Sequence, residues 1–210
     1  MSWLALGHVP LPGGEYVNAN SALFITDPGL SQVIYYQLTS ERPQLWLAVE
    51  GPGEVWVRLG VPAIPDLSDF RPRLALVGPG LPMPQEGLPL AVPGSMGIEL
   101  LTTDSGTARQ VFHEHFTDTR SWIQGDWEIE LRRKGTYYLV AYAPDGRYEK
   151  LWVAIGRREA FTWEEVLSLP QVMRDVRAFH EVKPGLAQWL RLAGQLTVLA
   201  AFLLVMGMLN

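Results

Sequence analysis

The chain has 210 residues, enough for one domain and a short appended segment but not for two large domains. A formal net charge of −5 gives no sign of a nucleic-acid partner, which would favour a basic face, and charged residues, at 19%, fall below the roughly 25% of average soluble domains. Cysteine is absent, which excludes disulfides, thiolate metal sites and cysteine nucleophiles.

The first seven residues, Met-Ser-Trp-Leu-Ala-Leu-Gly, are too short and too poor in positive charge for a whole signal peptide. Ala5 and Gly7 nevertheless stand where a signal peptidase expects small residues. Residues 1–7 therefore read either as the remnant of a signal peptide, with His8 as the mature N-terminus, or as a first strand built on Trp3, Leu4 and Leu6.

Residues 8–160 read as a β-sandwich domain. Val33–Leu38 is rich in β-branched and aromatic residues. Gln44–Glu50 and Glu54–Leu59 are strand-like, and Gly51-Pro52-Gly53 between them predicts a hairpin turn. A proline-rich connection follows over Val61–Arg73, then a short buried strand at Leu74–Val77 and a loop over Leu81–Gly94. Ile98–Leu101 and Gln110–Phe116 are further strand candidates. Asp126–Arg132 alternates polar and apolar residues strictly, placing Trp127, Ile129 and Leu131 inward. Lys134-Gly135 predicts a second turn before Tyr137–Ala143, and Pro144-Asp145-Gly146 a third before Leu151–Ile155. Eight or nine short strands between Gly/Pro turns predict a mainly β fold, an antiparallel β-sandwich of jelly-roll type.

Helix is expected only from residue 161 onward, and residues 161–183 read as an amphipathic helical linker. Thr162-Trp163-Glu164-Glu165 has the form of a capping box, and Pro170 is expected to restart the helix. Val172, Met173, Val176 and Phe179 form an apolar stripe opposite Arg174, Asp175 and Arg177. That stripe suits either a membrane interface or the surface of the sandwich. After Pro184-Gly185, residues 186–209 read as a transmembrane anchor. Leu192–Leu209 carries no charge and no proline, and as a helix it would extend about 27 Å, close to the hydrocarbon thickness of a bilayer. Gly194, Thr197 and Gly207 offer small residues for close helix–helix approach.

Several segments are similar to a largely uncharacterised group of prokaryotic exported proteins. They are His8-Val9-Pro10, Gly13-Gly14, Ser21–Ile25, Glu114-x-Phe116-Thr117, Gly135–Val140 with Tyr142, and Trp152–Gly156. Members commonly carry proline where this chain has His115. The resemblance implies a signal peptide, a β-sandwich and one C-terminal transmembrane helix, and so an extracytoplasmic domain. It implies no activity. Lys183 and Arg191 before the anchor, with no positive charge after it, point the other way and would suit a cytoplasm-facing, tail-anchored protein. Long domains translocate largely regardless of such a bias, so the extracytoplasmic side is the expectation.

Of the four histidines, His113 and His115 form the one local cluster. On a strand their imidazoles would share a face, with Cα atoms about 6–7 Å apart, a spacing that suits two ligands of one zinc or copper ion. His8, as a free N-terminus, would complete a copper-binding brace. The alternative is a solvated pair with no ligand. Asp104, Asp118 and Asp126 are loop carboxylates that would suit calcium or simply form turns. No nucleophile elbow or phosphate loop is present, so no catalytic residue is assigned. Trp46, Trp56, Trp122, Trp127 and Trp152 would serve either a sugar-binding face or the core. The sequence thus predicts a membrane-anchored binding or scaffolding module, an accessory subunit partnered with the bilayer and with another membrane or envelope protein. A copper- or zinc-binding protein is the alternative.

Overall fold

A computed structural model of the protein describes residues 9–10, 15–84, 88, 90–101, 109–159 and 163–183. The chain divides into two units, Met1–His180 and Glu181–Asn210. The fold that follows is that of the first. The segments 1–8 and 184–210, on which the signal-peptide remnant, His8 and the membrane anchor fall, lie outside the described residues. So do Asp104 and Thr162.

Among its described residues the first unit is mainly β, with a largely antiparallel sheet, one α-helix and two single-turn 3-10 helices. Its strands are β1 (Val9–Pro10), β2 (Leu23–Phe24), β3 (Gln32–Gln37), β4 (Gln44–Pro62), β5 (Arg73–Gly78), β6 (Gly97–Leu101), β7 (Val111–Glu114), β8 (Thr119–Tyr142) and β9 (Lys150–Ile155), and its helix is α1 (Trp163–Phe179). The main path runs β1-β3-β9-β4-β8-β5-β6, with β2 added to β4 and β7 to β8. Among the described residues, parallel pairing is confined to the two-residue contacts of β1 with β3 and β2 with β4 and a single bridge between Leu30 and Arg158.

Two of the expected turns do not form. Gly51-Pro52-Gly53 lies inside β4, a single strand of 19 residues, and Lys134-Gly135 lies inside β8, a strand of 24. The two irregularities face each other. Gly51 pairs with Gly135 and Gly53 with Leu131, so one intervening residue on β4 opposes three on β8. A proline that cannot donate to the ladder and a run of extra residues on the partner bend the ribbon without ending it. A Cβ at position 51 would stand 2.6 Å from the Arg133 carbonyl oxygen, so glycine is required where the two backbones approach.

The side-chain alternation continues through the bend. Leu45, Leu47 and Val49 before it and Val55, Val57, Leu59 and Val61 after it all lie in one buried cluster, opposite Ile129, Leu131, Tyr137, Leu139 and Ala141 of β8. One face of the ribbon is therefore inward on both sides of the bend, and the two arms close over a shared core in a sandwich-like arrangement. One arm carries β2, β5 and β6, and the other carries β9, β3 and β7. The outer face of the first arm, with Trp46, Val77, Val140 and Tyr142, is covered by Leu88, Leu90, Val92 and Met96 of the segment before β6. The outer face of the second, with Val33, Trp152 and Ala154, packs against Phe179 of α1.

α1 runs without a break through Pro170, which is exposed. Leu169, Met173 and Val176 are buried. The apolar stripe of the helix thus covers the sandwich. Among the described residues no helix is long and apolar enough to cross a membrane.

Candidate functional site

The β7–β8 turn and the C-terminal end of α1 meet where Arg177 donates to the Thr117 carbonyl, and these two segments carry His113, Glu114, His115, Asp118 and His180. β7 ends at Glu114, so His115 opens the turn rather than continuing the strand. The turn still places the two rings side by side, with centroids 4.4 Å apart and planes inclined at 54°. His113 Nε2 lies 3.0 Å from Asp118 Oδ1. Asp118 adopts a left-handed backbone, φ 52°, which aspartate tolerates better than most residues.

Between the histidines, Glu114 Oε1 accepts a hydrogen bond from the Phe116 amide at 2.9 Å, while Oε2 is buried with no partner among the described residues. Burial pushes the Glu114 carboxyl above its ordinary range, against the opposing pull of the Phe116 N–H and of the two imidazoles. Burial, and secondarily the Glu114 charge, raises the Tyr35 phenol well above its usual value. Among the described residues no three His, Asp or Glu side chains converge on a point that would hold a metal ion. The structure brings His113, His115 and Asp118 together. Asp126, expected on a loop, lies instead within β8, where its carboxylate accepts from Arg58 and from the Trp56 indole.

A second constellation, which the sequence did not disclose, is buried beneath the helix. His180 Nδ1 lies 2.8 Å from the Val176 carbonyl oxygen, which can only accept, so Nδ1 carries the proton. His180 Nε2 then accepts from Ser121 Oγ at 3.0 Å, and Ser121 Oγ accepts from Trp152 Nε1 at 3.0 Å. Each donor of this Trp152–Ser121–His180 relay has an acceptor. Beside it, Arg177 Nη1 donates to the Thr117 carbonyl at 2.8 Å. Ser121 and His180 are 3% and 5% exposed, and a backbone carbonyl stands where a catalytic triad has its carboxylate. The pair is a hydrogen-bonded seam between helix and sheet. One sequence signal does point to it: His180 extends the spacing of Met173 and Val176 by one more turn, so it falls on the buried stripe.

The tryptophans divide between core and arginine partners. Trp46 and Trp152 are buried, and Trp127 packs against the core. The Arg58 and Arg157 guanidiniums lie 5.0 and 4.9 Å from the Trp56 ring, and Arg109 lies 4.8 Å from that of Trp122. These rings serve packing and cation–π contacts, as alternating aromatic strand residues commonly do. The geometry defines the protein as a mainly β, sandwich-like domain with one helix sealed to its second arm. No protein-family model matches the chain, and no curated protein matches it.

Proposed function

We propose that this chain is a membrane-tethered binding or scaffolding module, its sandwich held on the extracytoplasmic side as an accessory subunit of a membrane complex. The observation that carries this reading is the uncharged, proline-free run Leu192–Leu209, long enough to cross a hydrocarbon layer. The run also offers Gly194, Thr197 and Gly207 as small residues for contact with another membrane helix.

The test is membrane fractionation with protease accessibility, on the full chain and on one truncated after Lys183. The full chain is expected to resist extraction by high salt and alkaline carbonate, the truncated chain to be released, and protease added from outside to reach the domain in spheroplasts. Release of the full chain by salt overturns the tether. Digestion only after membrane rupture reverses the sidedness in favour of a cytoplasm-facing, tail-anchored protein. Migration of the full chain at its own mass on native gels of membranes overturns the accessory role.

A second reading, copper or zinc binding at His113 and His115, is favoured by the 4.4 Å separation of their rings. It requires further ligands, such as His8 or a rotated Asp118. Metal analysis of the purified chain, before and after H113A/H115A, decides it: equal metal content in both proteins, or none in either, sinks the idea.

A further inference from the structure

The geometry points to the His180–Ser121–Trp152 chain as an acid-sensitive latch that docks the C-terminal half of α1 on the sandwich at neutral pH and releases it on acidification. The inference is independent of the membrane reading. Three features of the seam support it.

Both ring nitrogens of His180 are committed to neutral partners, the Val176 carbonyl and the Ser121 hydroxyl. A second ring proton would land on Nε2, facing a hydroxyl whose own proton points at that nitrogen. Ser121 would have to turn its O–H away while still accepting from Trp152 Nε1, and that proton would need another acceptor in a site only 3% exposed. The contacts that dock the helix end also gather around this ring, with Phe179 packed on the cluster of Val33, Trp152 and Ala154, and Lys150 Nζ 5.7 Å from the Phe179 ring. Phe179 lies 5.1 Å from Tyr35, edge to face, and His180 lies 5.9 Å from the same ring. Finally, Lys150 on β9 disfavours a second positive charge near the ring, Arg177 on the preceding turn of α1 is itself a cation, and the Tyr35 phenol on β3 is neutral; Glu114 of β7, beyond Tyr35, is an acid that would favour the charged ring. Glu114 is not within hydrogen-bond reach of the ring, whose two partners are named above.

The sign follows from the buried state. Burial, reinforced by Lys150 and opposed only by the Val176 carbonyl, holds the docked imidazole below its ordinary value of 6.5. An undocked His180 titrates near that ordinary value. Above it both forms are neutral and docking is pH-independent. Below it the undocked form takes the proton first, and docking weakens by up to about tenfold per pH unit until the docked ring also protonates.

The experiment is hydrogen exchange of the full chain in detergent micelles at pH 7.5 and pH 5.0, corrected for intrinsic rates. Exchange over residues 172–180 is expected to rise by about tenfold or more at the lower pH, with residues 44–62 unchanged. H180Q, which keeps an acceptor near Nε2, and H180N, which keeps a donor near Nδ1, should abolish the rise. H113Q/H115Q should leave it in place, separating His180 from the other described imidazoles. No rise in the wild type, an equal rise in both His180 variants, or a rise shared by the whole sheet overturns the latch. If both variants exchange fast at either pH, the wild-type His180 titration followed by NMR decides: a midpoint coincident with the exchange rise supports the latch, and a separate one overturns it.

Discussion

Ser121 is a single buried hydroxyl on which two other buried groups depend. Ser121→Ala leaves the Trp152 indole N–H without its acceptor and the His180 ring without its donor, so a loss of about 1–3 kcal/mol is expected. Urea denaturation followed by tryptophan fluorescence measures it, and a change within a few tenths of a kcal/mol would mean that water replaces the hydroxyl. The exposed Arg132–Glu130 pair stands in contrast, with side chains 81% and 64% accessible. Arg132→Ala should alter stability by less than about 1 kcal/mol, because solvent and salt screen such pairs. At this scale the sequence was partly legible. Trp127, Ile129 and Leu131 announced their common face through alternation. Nothing local announced that Ser121 and His180 meet, because the contact is made between a strand and a helix that are remote in sequence. The His-x-His spacing did disclose that two rings would be neighbours, though a turn rather than a strand brings them together.

Strands that end at a true turn are legible in the sequence, and strands that bend are not. Val33–Leu38, Leu74–Val77, Ile98–Leu101 and Leu151–Ile155 each fall within a residue or two of an observed strand. Gly51-Pro52-Gly53 and Lys134-Gly135 have the composition of hairpin turns because glycine and proline mark any departure from regular backbone. Whether the chain reverses or merely bends depends on the partner opposite, here a second glycine far along the chain. The bend makes a test of its own. Gly51→Ala places a methyl against the Arg133 carbonyl and the Tyr137 ring, and Gly60→Ala drives one into the Trp152 ring. Each should cost at least about 1–3 kcal/mol, read as a lowered denaturation midpoint. A Trp152→Leu change that recovers part of the Gly60→Ala loss would show that the close approach is the cause. The helix was legible in its stripe except at Arg177, expected on the outer face but buried against the Thr117 carbonyl, and Pro170 proved compatible with a continuous run, since it faces outward.

For the whole molecule, composition and turn frequency sufficed to predict a mainly β, sandwich-like domain with a late helix. The way its two arms are joined was beyond them, because register between distant segments leaves no local trace. The molecule's charge also carries an expectation. With a net charge of −5, the chain should gain little affinity for anionic lipid over neutral lipid. Vesicle flotation should therefore give similar recoveries from neutral and anionic liposomes, governed by the apolar run. A strong preference for anionic vesicles would instead place a basic contact on the domain.

The paired bend in β4 and β8 governs how the protein comes apart. Both arms are built on the same two strands, so neither can melt while the other survives: pulling one arm open strips its neighbour of half its ladder. Unfolding should accordingly be a single event, with calorimetric and van't Hoff enthalpies in agreement. Assembly bears the opposite burden. The ribbon forms only when segments widely separated along the chain find each other in register, which places folding among the slow, topology-limited β proteins. A sheet that is slow to form and whose two arms open only together is one whose persistence is set by its unfolding barrier.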